Sequence, residues 1–167
     1  MDRRHLIRFA SATAMLSCFF AGAATAQGST SATMAVSVQV TPNCTVAAEP
    51  LAFGAISAAD APSQAATASI EVACGPDVPF TVQLDDGQYS SDGTRRAHDP
   101  ATGQYIGYDI YADAAHTRRW GSLAGQSVAG AAASTGTERL TAYGLIGGDT
   151  QIAAGSYGDL VTVTTNF

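Results

Sequence analysis

The side chains that could do chemistry in this sequence are few and scattered. His98 and His116 are the only histidines beyond the first few residues, and each lies in a polar stretch. Neither is accompanied by a serine or cysteine nucleophile motif, so both read as solvated loop residues rather than bases. No G-x-S-x-G, no metal-spaced histidine pair and no phosphate-binding loop occurs. Asp85-Asp86-Gly87 and Asp92-Gly93 offer oxygen ligands of the kind calcium takes, but lack the spacing and closing Glu of an EF-hand. They read as turns. Arg95-Arg96 and Arg118-Arg119-Trp120 could mark a ligand patch through cation–π and carboxylate contacts. The alternative is that these arginines pair with surplus acids on the surface and that Trp120 is a satellite core residue. No catalytic group, cofactor site or metal site is assigned, and the chain reads as non-enzymatic.

The sequence opens on a charged tip, Met1-Asp2-Arg3-Arg4-His5, followed by an uncharged run over residues 9–25. Ala24-Thr25-Ala26 is a small-x-small cleavage site, so residues 1–26 read as a secretory signal peptide. The run is too short and too diluted by Ser, Thr and Gly for a membrane-spanning helix. Arg3-Arg4 resembles a twin-arginine signal, but nothing downstream calls for a cofactor inserted before export, and the general secretory route is preferred. The mature chain keeps Cys44 and Cys74, which in an exported protein most simply form one disulfide. A metal or redox pair is the rival, without C-x-x-C spacing to support it. In that mature chain five arginines stand against thirteen acidic residues, a net charge near −8, and there is no lysine. An acidic surface without a basic stripe argues against nucleic acid and against anionic membranes as partners.

The elements that would position these groups are strands. Residues 33–41 alternate, with Met34, Val36, Val38 and Val40 on one face and Ala35, Ser37 and Gln39 on the other. Nine residues in extended form span roughly 30 Å. A second extended region covers residues 45–53 and ends in Leu51-Ala52-Phe53-Gly54. Residues 67–74 place Ala68, Ile70, Val72 and Cys74 inward. Residues 80–85 place Phe80, Val82 and Leu84 inward, and Asp86-Gly87 turns the chain. A long polar excursion, 88–103, leads to a strand over 105–111 with Ile106, Tyr108 and Ile110 on the core side. A second excursion, 112–136, is rich in Gly, Ala and Ser. A strand over 137–146 follows, with Leu140 and Tyr143 on opposite faces and no clear inner side. The last strand is placed at 157–167, with Val161, Val163, Thr165 and Phe167 sharing one face. Six or seven short strands separated by turns indicate an all-β sandwich of immunoglobulin-like type.

In order, Cys44, Leu51-Ala52-Phe53-Gly54, Ile70-Glu71-Val72-Ala73-Cys74, Arg95-Arg96, Tyr108-Asp109-Ile110-Tyr111-Ala112-Asp113, Trp120-Gly121 and Tyr143-Gly144 resemble the spore coat protein U domain family. That family includes subunits of archaic chaperone–usher pili. The closing run, Ala154-Gly155-Ser156-Tyr157-Gly158-Asp159 then Val161-Thr162-Val163-Thr164 and Asn166-Phe167, is the most specific match. The resemblance spans the mature chain. It implies an incomplete immunoglobulin-like β-sandwich, completed by a donor strand from another chain. Residues 27–42 would be an N-terminal extension carrying the donor residues Met34, Val36, Val38 and Val40; residues 43–167 would be the domain. Val161, Val163, Thr165 and Phe167 would form the edge that a periplasmic chaperone, and then the next subunit at an outer-membrane usher, pairs with. The expected location is the periplasm in transit and then a cell-surface pilus. Three alternatives remain open: a monomeric adhesive or lectin-like domain using Arg118–Trp120, a spore-coat-type surface protein, and self-complementation by the chain's own opening strand.

Overall fold

In the computed structural model, residues 28–57, 63–147 and 152–167 are described, and the expected signal peptide lies outside them. Two units are distinguished, Met1–Val38 and Gln39–Phe167. The described part of the first, residues 28–38, forms no helix and no ladder, and Met34, Val36 and Val38 are more than four-fifths exposed. The predicted strand over 33–41 therefore has no ladder here. A strand needs a second strand to take its backbone hydrogen bonds.

The second unit carries the described strands: β1 (Thr45–Ala48), β2 (Ala65–Ala73), β3 (Pro79–Leu84), β4 (Arg95–Asp99), β5 (Gln104–Tyr111), β6 (Val128–Ala131), β7 (Thr137–Ile146) and β8 (Val163–Asn166). They form a five-stranded sheet in the order β1-β2-β7-β5-β4 and a three-stranded sheet in the order β6-β3-β8, antiparallel throughout. The all-β, two-sheet architecture matches the sequence expectation. The side-chain alternation of β2, β3 and β5 does as well. Ile70, Val72, Phe80, Val82, Leu84, Tyr108 and Ile110 belong to one buried cluster with Trp120 and Ala142. On β7, whose inner face the sequence left open, Ala142, Gly144 and Ile146 are buried and Leu140 packs on the core, so Tyr143 faces out.

Several expectations need correction. The two polar excursions each contain a strand, β4 and β6. β4 escapes a hydrophobic reading because its two fully buried positions are Arg95 and Asp99. β6 escapes it because it is Val-Ala-Gly-Ala, with Gly130 packed under the Phe80 ring. Only Thr45–Ala48 of the expected 45–53 strand is a ladder. Leu51 and Phe53 then enter the core from irregular chain, against Gly144, where a Cβ would meet Leu51 at 2.6 Å. The ladder of the last strand is also shorter than expected, confined to Val163–Asn166.

The predicted disulfide is present between Cys44 and Cys74, with Cα atoms 4.2 Å apart. It joins the residue before β1 to the residue after β2, next to the register pair Thr45–Ala73. All four β1 residues are exposed, so hydrophobic burial holds this strand weakly. A cross-link closing a loop of this length contributes about 3–4 kcal/mol if it acts by restricting the unfolded chain.

Candidate functional site

The two sheets do not close on one another along their whole length. Between them lies a groove of roughly 1080 Å³. The five-stranded sheet contributes Ala68, Ile70, Ile106, Ile110, Ala142 and Ile146 to its lining. Leu84, Val161 and Val163 line it from the three-stranded side, and Leu51, Phe53 and Ile56 from the irregular run after β1. Such a lining is what period-2 alternation produces when every inward position is apolar. Its apolar positions can take up apolar side chains, while Glu49, Tyr108, Ser156 and Asp159 add polar groups to the lining.

The edge beside the groove offers more. β8 is the last strand of its sheet and pairs with β3 on one side only among the described residues. The Asp85 N–H donates to the Thr162 carbonyl at 3.1 Å, and the Gln88 N–H donates to the Leu160 carbonyl at 3.1 Å. Backbone direction alternates along a strand, so residues 162, 164 and 166 turn their amides toward β3. Val161, Val163, Thr165 and Phe167 then turn theirs outward. These are the residues singled out from the sequence as the acceptor edge. Val161, Val163 and Thr165 are half-buried, and Phe167 is 56% exposed. The Thr165 Oγ1 is buried without a hydrogen-bond partner. This side of the molecule thus presents unpaired backbone groups above an apolar trough, the chemistry that recognises an extended peptide.

Two aspartates hold the approach to β8, and the sequence reading had missed this role for both. Asp85 Oδ1 accepts from the Gly87 amide at 3.0 Å and the Thr162 amide at 2.9 Å. Burial pushes the Asp85 carboxyl up, but the bonds from Thr162 and Gly87 and the nearby Arg95 outweigh it and hold it below the usual carboxylate range. Asp159 Oδ1 accepts from the Gln88 and Leu160 amides, each at 2.9 Å, and Oδ2 accepts from the Tyr108 hydroxyl at 2.7 Å. Burial first, and this bond second, push the Tyr108 phenol well up. Gly87 has φ +81°, and a side chain there would collide with the Asp159 carboxylate. The Asp-Asp-Gly motif is therefore a turn that clamps the segment entering β8.

Beneath that turn sits a buried charge. Arg95 is fully buried, which overturns the expectation that it pairs with acids on the surface. Its Nη1 pairs with Asp109 at 2.6 Å, and Nη2 donates to the carbonyls of Asp85 at 2.6 Å and Trp120 at 2.8 Å. Arg119 reaches the other Asp109 oxygen at 2.7 Å and Asp86 at 2.9 Å. Burial lowers the pKa of Arg119, but Asp109 and Asp86 outweigh that and raise it. Trp120 is 1% exposed and donates its Nε1–H to the Val82 carbonyl at 3.0 Å, so it belongs to the main core. A ligand platform on Trp120 is thereby ruled out.

Of the two histidines expected in loops, His116 lies in one, half-buried, and His98 lies on a strand. His98 lies on β4 with its ring 4.8 Å from Tyr89 and 4.7 Å from Tyr105. His116 packs its ring edge-to-face with Tyr111 at 5.3 Å. Among the described residues no group of three or more His, Cys, Asp or Glu side chains is placed to hold a metal ion. No described helix is long and apolar enough to cross a membrane.

A search of curated proteins returns no match. Among solved structures, the fold is similar to a chain of the CsuC-CsuE chaperone-tip adhesion subunit pre-assembly complex from archaic chaperone-usher Csu pili of Acinetobacter baumannii. The TM-score is 0.61 at 23% identity, over 77% of this chain and 40% of that one. This protein thus spans about two-fifths of the length of that relative. A chaperone-tip adhesin complex of CFA/I fimbriae biogenesis aligns at TM-score 0.37 and 14% identity, over 62% of this chain and 34% of that one. Residues 30–164 match the Spore Coat Protein U domain, a span that includes the alternating segment 33–41 and the first half of β8. With that match over most of its length, the chain belongs to the Spore Coat Protein U domain family.

Proposed function

We propose that this protein is an exported structural subunit of a chaperone–usher type pilus and that it polymerises by donor-strand complementation. The observation that carries this reading is the one-sided β8 beside an apolar groove. The groove accepts a strand, and Val161, Val163, Thr165 and Phe167 supply the backbone edge. Residues 33–41 are the donor, inserting Met34, Val36, Val38 and Val40 into the groove of another copy or of a related subunit. All four side chains are more than four-fifths exposed, so each has nearly its whole apolar surface left to bury. Burying them would contribute up to about 6–12 kcal/mol before ordering costs. That is comparable with the net stability of a whole domain. A periplasmic chaperone fills the groove during transit, and an outer-membrane usher exchanges it for the next subunit's strand at the cell surface.

The fold's resemblance to a subunit held in a chaperone pre-assembly complex supports the same reading. The work of the domain is then structural and not catalytic. Changing Val36 and Val38 together to Asp tests it. Chaperone binding through the variant's own groove should survive, and fibres should disappear from electron micrographs. Normal fibres from this variant would sink the proposal.

A further inference from the structure

The outer face of the five-stranded sheet carries a second feature, independent of the groove. The outward residues of β5 are Tyr105, Gly107, Asp109 and Tyr111. Gly107 sits mid-strand without a positive φ, and a Cβ there would meet nothing within 4 Å. Neither backbone conformation nor packing among the described residues requires glycine. A strand-interior glycine nonetheless costs about 0.5–1 kcal/mol relative to alanine. Such glycines mark places where a ligand or another backbone comes close. Gly107 floors a depression of roughly 470 Å³. Sites for small ligands span about 300–1,000 Å³.

The walls define the ligand's chemistry. Arg96 lies directly opposite Gly107 in the β4–β5 register. Its Cζ is held 4.5 Å over the Tyr105 ring, and its Nε–H donates to the Tyr89 carbonyl at 3.0 Å. Its two terminal amino groups donate no hydrogen bond among the described residues, whereas Arg95, Arg119 and Arg139 are each ion-paired. A guanidinium fixed at Nε, with both terminal nitrogens free, is preset for a carboxylate. Asp109, which also lines the depression, pairs with Arg95 and Arg119 through its two carboxylate oxygens. Around the rim the phenol hydroxyls of Tyr105 and Tyr111 donate no hydrogen bond among the described residues, and Leu145 adds an apolar wall.

We propose that this depression binds an acidic sugar, a hexuronate whose carboxylate meets Arg96 and whose ring lies over Gly107. A carboxylate for the fork, hydroxyls for the phenols and an apolar ring face for Leu145 are united in that one class. The site does not rest on the pilus reading, since Arg96 and Gly107 face away from the groove lined by Ile106 and Ile110.

The test is a titration of the full chain with glucuronate, glucose and acetate, followed by NMR. Glucuronate should shift the Gly107 amide, and glucose and acetate should each bind about tenfold more weakly or worse. Arg96→Gln should weaken glucuronate binding by about tenfold or more. Gly107→Val, which has room to fold, should abolish it by filling the floor. Equal affinity for acetate, unchanged binding by Gly107→Val, or no binding of glucuronate at about 10 mM would each overturn the proposal.

Discussion

The two sheets have four end strands, β1, β4, β6 and β8, and one run of chain treats two of them, β4 and β8, differently. The outer edge of β4 is met by Gly158, which exchanges two backbone hydrogen bonds with His98 at 2.9 and 3.0 Å. The outer side of β8 has no ladder partner among the described strands, although β1 lies close by and β8 begins only five residues after Gly158. The same run of chain therefore covers one edge and leaves the next bare. An edge strand is ordinarily a hazard that folds conceal. Here the run around Gly158 covers β4 and leaves β8, which borders the groove, without a ladder partner on its outer side. The bareness is also well supported: Asp85, Asp159 and, beneath them, Arg95 hold the segment entering β8 in place without occupying its outer side.

The contrast can be broken hardest from below. Arg95→Ala would leave Asp109 short of its buried partner and the Asp85 and Trp120 carbonyls without a donor. Removing one member of a buried pair costs about 3–5 kcal/mol. Urea unfolding should show that loss, and chaperone capture should fall with it. A drop below about 1 kcal/mol would mean that the buried arginine supports little.

A pair of proline substitutions sharpens the contrast along β8 itself. Thr164 directs its amide toward β3, and Thr165 directs its amide to the bare side. Thr164→Pro should break the fold's own ladder and lower stability by about 1–3 kcal/mol, the cost of a lost bond with its partner left unsatisfied. Thr165→Pro should leave stability nearly unchanged and weaken donor-strand binding by about tenfold, the loss of one backbone bond. A peptide of residues 33–41 added in trans reads the second effect by calorimetry. Equal damage from both prolines would contradict the outward direction assigned to Thr165.

The smallest effect is in pH. Asp85 has its folded pKa depressed below the unfolded value, so its contribution is present above the unfolded pKa near 3.9 and lost as pH falls through the folded pKa. Thermal unfolding between pH 6 and pH 3 should lose stability at the acid end, and Asp85→Asn should flatten part of that slope. An unchanged slope would remove Asp85 from the clamp.

The parts that were legible in the sequence share a physical reason. β2, β3 and β5 bury apolar side chains at every second position, so alternation alone marks both the strand and its inner face. β4 was illegible because it buries the polar residues Arg95 and Asp99; Asp109, the partner of Arg95, lies on another strand, and Asp99 is satisfied by the turn residues Ala101 and Thr102 just after it. β6 was illegible because a Val-Ala-Gly-Ala strand under an aromatic ring carries almost no pattern. At the candidate site, Val161, Val163 and Thr165 were readable as one face of a strand. The aspartates that position them looked like ordinary turn residues.

By itself the sequence determined the all-β class, the Cys44–Cys74 pairing and the alternating segments, among them 33–41 and the shared face of Val161, Val163, Thr165 and Phe167 in the strand placed at 157–167. These rest on local periodicity and on a count of cysteines. Only the tertiary structure decided that Arg95 and Trp120 are interior and that β4 is covered while β8 is bare. Those outcomes depend on which distant backbone groups meet, and residue order does not display that pairing.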